Sequence, residues 1–235
     1  VSFEREWHGY KYWMAHSPYP YAYAEEENPC VAVSNDNLVN FFSSISKYIP
    51  ISENDRLLSI TTISFDISIL EIFLPLFCGA TLVVGSKRML IDGYMLQNSL
   101  QKNNISIMQA TPITWEMLFN TGWTNTENIK ILCGGEKLSE TLAKKLCENA
   151  SHIYHLYGPT ETTIWSSVQK LTSPFDIHLG DPIDNTDFYV LDENLHPVQE
   201  GELYIGGRGV AIGYYRQIEL TKGRFLNNPF SRGII

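Results

Sequence analysis

Cysteines, long apolar runs and basic residues are all scarce in this sequence, and each scarcity excludes a class of protein. The 4 cysteines are scattered without a Cys-x-x-Cys pair, so we expect buried reduced thiols rather than disulfides or zinc sites. The longest apolar stretch, residues 67–78, is interrupted by Glu71 and Pro75, so no membrane-spanning helix is expected. The net charge of −9 argues against nucleic acid and anionic membranes as partners.

The overall composition is that of a globular protein. Hydrophobic residues make up 44% of the chain and charged residues 18%, which does not fit a disordered protein. No secretory signal is visible, so we expect a cytoplasmic protein. The sequence starts at Val1 rather than Met and stops at Ile235, which predicts a piece of a longer protein.

Strand-like and helix-like segments alternate from Val31 onward. Helix starts are indicated by Ser34 and Ser139 as N-caps and by Pro112 at a first helical position. This alternation predicts a mainly parallel sheet with helices on both faces. The predicted strands cover residues 31–33, 56–62, 80–84, 105–110, 129–133 and 151–154.

After Ser166 the pattern changes to short strands separated by turn residues. Residues 187–191 and 202–205 read as strands, which predicts a small antiparallel sheet or distorted barrel after the α/β part. We therefore divide the chain into an atypical N-terminal segment (1–30), an α/β core (31–168) and a β-rich part (169–235).

One predicted helix carries a carboxylate at its start. Ile69, Ile72, Phe73 and Leu76 recur at helical spacing and predict its apolar face. Asp66 stands just before them, and Asp is a common helix N-cap. On the residues alone, capping is the favoured role for Asp66.

Four stretches hold residue types that suit a nucleotide site. They are SFDISILEIF at 64–73, CGGE at 133–136, HLYGPTETT at 155–163 and GELYIGGRGVAIGY at 201–214. Paired glycines let a backbone approach a ligand closely. Hydroxyls around one carboxylate at the end of a parallel strand suit a nucleotide and its metal ion. Taken alone, the stretches at 133–136 and 155–163 would also fit ordinary turns.

In this order and spacing, the stretches resemble the amino-acid adenylation domains of nonribosomal peptide synthetases. These belong to the adenylate-forming enzymes, with acyl-CoA synthetases and luciferases. The resemblance runs over residues 31–230 and implies a partial adenylate-forming enzyme fold without the phosphate loop and the C-terminal subdomain. It also implies that ATP, Mg²⁺ and an amino acid give aminoacyl-AMP. The aminoacyl group would then pass to the phosphopantetheine thiol of a peptidyl carrier protein, beside other synthetase domains.

The resemblance also implies roles for single residues. Thr160 would contact the α-phosphate and Glu161 would hold Mg²⁺, so these two would be catalytic by electrostatic stabilisation. Tyr157 would pack on adenine. The full set of nucleotide-binding positions is Gly134, Gly135, Glu136, Tyr157, Gly158 and Thr160.

The same resemblance implies an amino-acid pocket in which Asp66 pairs with the α-ammonium group. Most of the other lining positions are bulky and apolar, so little room is left for a substrate side chain. The set resembles the signature of glycine activation. Its members are Asp66, Ile67, Leu70, Gln109, Leu132, Gly134, Leu156, Ile164 and Trp165.

Two alternatives remain open at this point. Residues 24–30 (AEEENPC) stand where the family has its phosphate loop, and they contain no Gly, Ser, Thr or Lys. Asp181 and Ile212 stand where the family commonly has Arg. These departures fit a degenerate, non-catalytic nucleotide-binding or scaffold domain. An acyl- or aryl-CoA ligase is the other alternative, and Asp66 disfavours it because such substrates have no ammonium group.

Overall fold

A computed structural model describes residues 5–7, 10–16, 30–125 and 128–235. Most of the atypical segment 1–30, and all of the replaced phosphate loop except Cys30, lie outside these residues. In the described part, no helix is both long and apolar enough to cross a membrane.

The order of elements follows the predicted alternation of strands and helices. The strands are β1 (Arg5–Trp7), β2 (Tyr10–His16), β3 (Cys30–Ser34), β4 (Arg56–Ser59), β5 (Thr81–Val84), β6 (Ile107–Ala110), β7 (Lys130–Gly134), β8 (Ile153–Tyr157), β9 (Ser167–Lys170), β10 (Asp181–Pro182), β11 (Thr186–Leu191), β12 (Glu202–Gly207) and β13 (Gly213–Tyr214). The helices are α1 (Asn35–Tyr48), α2 (Ile67–Phe77), α3 (Gly93–Lys102), α4 (Pro112–Phe119), α5 (Glu140–Asn149) and α6 (Ile218–Arg224).

The central sheet has seven strands in the order β10-β9-β8-β7-β6-β4-β5. The strands from β8 to β5 in that order pair in parallel, and only β9 and β10 at one edge pair antiparallel. The prediction of a mainly parallel sheet is confirmed. In such a sheet the carboxyl ends of neighbouring strands meet at one edge, where ligands bind.

Helices cover both faces of this sheet, as predicted. Successive side chains on a strand point to opposite faces. Leu58 and Met108 accordingly pack in one buried cluster with residues of α3, α4 and α5. Their neighbours Leu57 and Ile107 pack in a second cluster with residues of α1 and α2.

Local capping chemistry fixes where the helices start. The Ser34 hydroxyl accepts a hydrogen bond from the Asn37 N–H, and the Asn37 side chain accepts one from the Ser34 N–H. The Ser139 hydroxyl likewise accepts from the Leu142 N–H at the start of α5. Pro112 occupies the first turn of α4. The three predicted helix starts are confirmed.

The predicted apolar face of α2 is wrong, although the helix itself is confirmed. Phe73 and Leu76 are 38% and 57% exposed. The side of the helix that packs inward instead carries Leu70, Glu71 and Leu74, each with no exposed surface. A carboxylate therefore lies in the core of the sheet layer.

The remaining strands form two antiparallel sheets. β11 and β12 pair as a two-stranded sheet, which confirms the predicted small antiparallel sheet. The other sheet has the order β1-β2-β3-β13, so β3 pairs with a strand near the end of the chain. The Asn37 side chain donates to the carbonyls of Arg208 and Val210, which fastens the segment before β13 to α1.

Candidate active site

The candidate site lies where the carboxyl ends of β6, β7 and β8 meet the start of α2. Gln109 is in β6, Gly134 ends β7 and Tyr157 ends β8. Gly134 pairs directly with Leu156, so the stretches around 134 and 157 share one rim of the sheet. The parallel topology thus brings together segments that are far apart in the sequence.

The predicted pocket positions converge in one place. Several of them are buried in the cluster on the α1 and α2 face of the sheet, and Ile67 packs against it. The buried members are Leu70, Leu132, Leu156, Ile164 and Trp165. Gln109 is also fully buried, and the amide N–H₂ group of its side chain donates to the carbonyl of Ile67 at 2.9 Å.

Two glycines are required by close contacts in this region. A Cβ atom on Gly134 would lie 2.5 Å from the Leu156 carbonyl and 2.8 Å from the edge of the Trp165 ring. A Cβ atom on Gly158 would lie 2.6 Å from the Ser166 nitrogen. Any other residue at either position would push Trp165 or its neighbours out of place.

Asp66 does not cap α2, so the capping prediction is wrong. Its backbone is already helical, with φ −62° and ψ −30°, and its side chain makes no capping hydrogen bond. A cap residue needs an extended backbone for its side chain to reach back to the helix N–H groups. The carboxylate instead meets the Thr160 hydroxyl from the loop after β8.

The electrostatic environment of Asp66 disfavours its ionised form. Burial raises its pKa to about 6, and the nearby Glu161 carboxylate also raises it. Hydrogen bonds from the Thr160 hydroxyl and the Ile67 N–H oppose that shift. Among the described residues, no Lys or Arg forms an ion pair with Asp66. An incoming cation would therefore relieve an unfavourable charge.

Glu161 lies in the 3₁₀ turn Thr160–Thr162 and is held by a residue from β13. The Tyr214 hydroxyl donates to Glu161 Oε1 at 2.7 Å. Burial and the Glu161 carboxylate raise the pKa of Tyr214, so its hydroxyl stays protonated and remains a donor. The Glu161 backbone carbonyl accepts from the Ala211 N–H at 2.8 Å. The side chain and the backbone of Glu161 are therefore both held by residues of the segment 211–214, which ends in β13.

The backbone that follows is strained. Thr163 and Ile164 have φ values of 66° and 70°, although both are β-branched and buried. Such conformations cost about 1–3 kcal/mol each and tend to occur at functional sites. The Thr163 hydroxyl donates to the Gly209 carbonyl at 2.7 Å, which helps to hold the turn.

The predicted nucleotide positions lie side by side at the ends of β7 and β8. Gly135 has a positive φ of 86°, and Glu136 beyond it is exposed. Tyr157 and Gly158 are half-buried on the neighbouring strand end. Thr160 is buried in the next turn.

The chemistry of this site fits Mg²⁺ only together with phosphate. The described residues contain no group of three or more His, Cys, Asp or Glu that could hold a metal ion alone. Mg²⁺ in nucleotide sites is usually bound by one or two carboxylates, with phosphate oxygens and waters completing its shell. Glu161, oriented by Tyr214, could supply such a ligand.

Sequence reasoning missed two residues of this region. Glu71 contacts the pocket residue Gln109, and its only sequence signal was a carboxylate inside the apolar run 67–78. Tyr214 contacts Glu161 across 53 positions of sequence, and no local pattern could reveal that pairing.

Comparison with known proteins places the chain in a family. Residues 30–215 match the family described as AMP-binding enzyme. A PKS-NRPS hybrid synthetase, acdB of Aspergillus candidus, is 41% identical over 209 residues, which are 87% of this chain and 8% of that protein. A dimodular nonribosomal peptide synthase of Bacillus subtilis is 40% identical over 205 residues, which are 85% of this chain and 9% of that protein. The chain thus spans less than a tenth of the length of these two relatives.

Solved structures agree with these matches. The four-domain nonribosomal peptide synthetase holo-AB3403, bound to AMP and glycine, superposes with a TM-score of 0.86 at 37% identity. That superposition covers 92% of this chain and 16% of the other. The N-terminal subdomain of Klebsiella oxytoca NpsA, with a TM-score of 0.78 at 24% identity, shares the fold over 94% of this chain and 56% of its own. The chain therefore belongs to the AMP-binding enzyme family, as an adenylation domain of the nonribosomal peptide synthetase type.

Proposed function

We propose that this chain carries the amino-acid-binding part of an adenylation domain that selects glycine. The observation that carries the proposal is the Asp66 carboxylate, which forms no ion pair among the described residues and lies next to Thr160 and Ile67. An α-ammonium group is the cation that such a carboxylate would bind, with a charge-assisted hydrogen bond. The glycine and AMP bound to holo-AB3403, which is 37% identical, support this choice.

The pocket residues would select by volume. Trp165, Leu132 and Leu156 are buried in one cluster with residues of α2, and the Trp165 ring lies close to Gly134. A substrate with only hydrogen on its α-carbon would fit such a pocket, and a methyl group would clash. Discrimination of one methyl group by exclusion is typically worth about 1–3 kcal/mol.

In the proposed reaction, the substrate carboxylate attacks the α-phosphorus of ATP. The new bond gives the aminoacyl-AMP, and the bond to pyrophosphate breaks, so no side-chain nucleophile is required. Asp66 would orient the substrate through its ammonium group, and the Thr160 hydroxyl would donate to the α-phosphate as its charge grows. Glu161 would hold Mg²⁺, which neutralises phosphate charge when it is bound. In the longer protein, the product would load a carrier-protein phosphopantetheine thiol.

The test is an isothermal titration of this chain with the non-hydrolysable sulfamoyl analogues of glycyl-AMP and alanyl-AMP. The proposal predicts binding of the glycyl analogue that is roughly tenfold or more tighter than binding of the alanyl analogue. Asp66→Asn should abolish most of that binding, while the matched surface variant Asp36→Asn should not change it. Equal affinity for both analogues, or no binding by folded protein, would refute the assignment.

A second function is favoured by the sequence of residues 24–30. This acidic segment has no Gly, Ser, Thr or Lys to cradle a triphosphate, and its carboxylates would repel one. The chain would then bind an aminoacyl adenylate, or act as a scaffold, without making the adenylate. Exchange of labelled pyrophosphate into ATP separates the two functions, because measurable exchange by this chain excludes the non-catalytic one. Preferential activation of a fatty or aryl acid would instead favour a CoA ligase.

A further inference from the structure

Glu71 is a buried carboxylate for which the proposed chemistry has no use. It lies in α2, has no exposed surface, and burial raises its pKa. Burying an ionisable group without a cation is unfavourable unless hydrogen bonds compensate. Three such bonds come from the chain after β4: the N–H groups of Ile60 and Thr61, at 2.9 and 3.0 Å, and the Thr61 hydroxyl at 2.5 Å.

The fourth hydrogen bond to Glu71 comes from the pocket. The Gln109 side-chain N–H₂ group donates to Glu71 Oε1 at 3.1 Å and to the Ile67 carbonyl at 2.9 Å. The Gln109 side-chain oxygen accepts from the Trp165 indole N–H at 2.9 Å. Glu71, Gln109 and Trp165 are all buried.

This chain of contacts has only one consistent orientation. An indole N–H can only donate, and an ionised carboxylate can only accept. The Gln109 amide lies between Trp165 and Glu71, so its oxygen must face Trp165 and its N–H₂ group must face Glu71. The Ile67 carbonyl, which can only accept, favours the same orientation. A neutral residue that donates from position 71 would oppose this orientation and leave the Ile67 carbonyl as the single acceptor for the Gln109 N–H₂ group.

The Trp165 ring in turn lies against the end of β7, where the amino-acid pocket is proposed. Its Cη2 edge lies 2.8 Å from the place that a Cβ on Gly134 would occupy, and 3.8 Å from the corresponding place on Gly135. A small rotation of the indole would therefore change the space available at the end of β7.

We propose that Glu71 is a positioning residue for substrate selectivity. It fixes the Gln109 amide, and the amide holds the Trp165 ring across the pocket. The inference rests on the proposed amino-acid pocket and adds a residue outside the nine positions that line it. Glu71 also anchors the connection after β4, so the test must separate these two effects.

The decisive variant is Glu71→Gln, which keeps the shape and removes the charge. Its oxygen can still accept from the Ile60 and Thr61 N–H groups. Its N–H₂ group then faces the N–H₂ group of Gln109, and two donors cannot satisfy each other. We expect the Gln109 amide to move away from position 71 and its hydrogen bond from the Trp165 indole N–H to weaken. The preference for the glycyl over the alanyl sulfamoyl analogue should then fall roughly tenfold in the ratio of Kd values.

Thr61→Val is the matched control for the anchoring role. It removes the hydroxyl contact to Glu71 and leaves the contact to Gln109 in place. We expect it to lower the Tm while leaving the glycyl-to-alanyl ratio unchanged. In a double-mutant cycle, Glu71→Gln combined with Trp165→Phe should reduce the ratio by less than the product of the two single effects, because both act through one contact chain.

The outcomes distinguish this inference from the proposed function. A wild-type ratio retained by folded Glu71→Gln overturns the inference alone, as does a multiplicative double-mutant cycle. If Glu71→Gln does not fold, Glu71→Asp is the alternative variant, because its shorter side chain keeps the charge but no longer reaches Gln109. An unchanged glycyl-to-alanyl ratio in Glu71→Asp also overturns the inference. Wild-type protein that binds neither analogue refutes the proposed function, and this inference with it.

Discussion

An aspartate lies at each end of the central strands, and the pKa values of the two are shifted in opposite directions: that of Asp55 is lowered and that of Asp66 is raised. At the amino edge, Asp55 accepts from the Ser106 hydroxyl at 2.8 Å and from the Ser52 N–H at 2.8 Å. Lys130 forms an ion pair with it at 3.0 Å. Burial would raise the pKa of Asp55, but these hydrogen bonds and Lys130 outweigh it, so the pKa is lowered. At the carboxyl edge, burial raises the pKa of Asp66 to about 6.

The backbone shows the same contrast. At the amino edge, positive φ values fall on Asn104 and Asn128, and Asn tolerates that conformation. At the carboxyl edge they fall on Thr163 and Ile164, which do not tolerate it well. At the amino edge the charge is thus compensated and the turns are unstrained, whereas the carboxyl edge keeps a carboxylate that burial disfavours and a strained turn, as the proposed ligand site would require.

The largest change in stability should come from removing the Asp55 carboxylate at the amino edge of the sheet. Asp55→Asn leaves Lys130, whose side chain is only 21% exposed, without its carboxylate. Removing one partner of a buried ion pair typically destabilises by about 3 kcal/mol. Urea unfolding should show that loss, while the glycyl-to-alanyl ratio of the folded variant stays at the wild-type value. A change in the ratio would mean that the two edges are not independent.

Asp66→Asn should instead increase the stability of the protein. A carboxyl group with a raised pKa gives its full contribution to stability below the unfolded pKa of about 4. That contribution is lost as the pH rises through about 6. Removing the charge should therefore stabilise the protein by about 2–3 kcal/mol near neutral pH and above, and the difference should vanish at about pH 4. Thermal unfolding at both pH values checks this, and destabilisation at neutral pH would contradict it.

The smallest effect should come from Tyr214→Phe. It removes the hydroxyl that orients Glu161, and stability should change by only about 1 kcal/mol. The gain in affinity for a non-hydrolysable ATP analogue when Mg²⁺ is added should fall several-fold, because Glu161, the proposed metal ligand, is then less well held. Affinity measured without Mg²⁺ is the control and should not change. If the effect of Mg²⁺ on affinity is unchanged in the variant, Tyr214 does not contribute to Mg²⁺ binding.

The sequence predicted those features that depend on contacts between residues close together in the chain. Ser34, Ser139 and Pro112 mark helix starts through contacts within one turn, and all three were predicted correctly. The five parallel strands of the central sheet followed from the alternation of elements, whereas its antiparallel strands β9 and β10 were not predicted. The predicted strand 31–33 pairs in the other sheet, with β2 and with β13, and β13 is distant in sequence. The apolar face of α2 was predicted wrongly because apolar periodicity cannot anticipate a buried Glu71.

The site was predictable only in part, for a related reason. The pocket positions came from motif resemblance, and the structure brings them together, but their roles remain predictions. Asp66 was assigned a cap because Asp before a helix usually caps it, and tertiary contact with Thr160 prevailed over that preference. The partners Glu71 to Gln109 and Tyr214 to Glu161 are 38 and 53 positions apart, so only the folded chain reveals them.

The most direct test of the account is the pKa of Asp66, measured by NMR titration of its side-chain carboxyl carbon and assigned with Asp66→Asn. We expect an apparent pKa of about 6 for Asp66 in the free protein. It should fall below about 4 when the glycyl sulfamoyl analogue supplies an ammonium group, and the acetyl analogue, which lacks that group, should not lower it. A pKa near the ordinary value in the free protein, or an equal fall with both analogues, would contradict the claim that Asp66 is kept ready for the substrate's ammonium group.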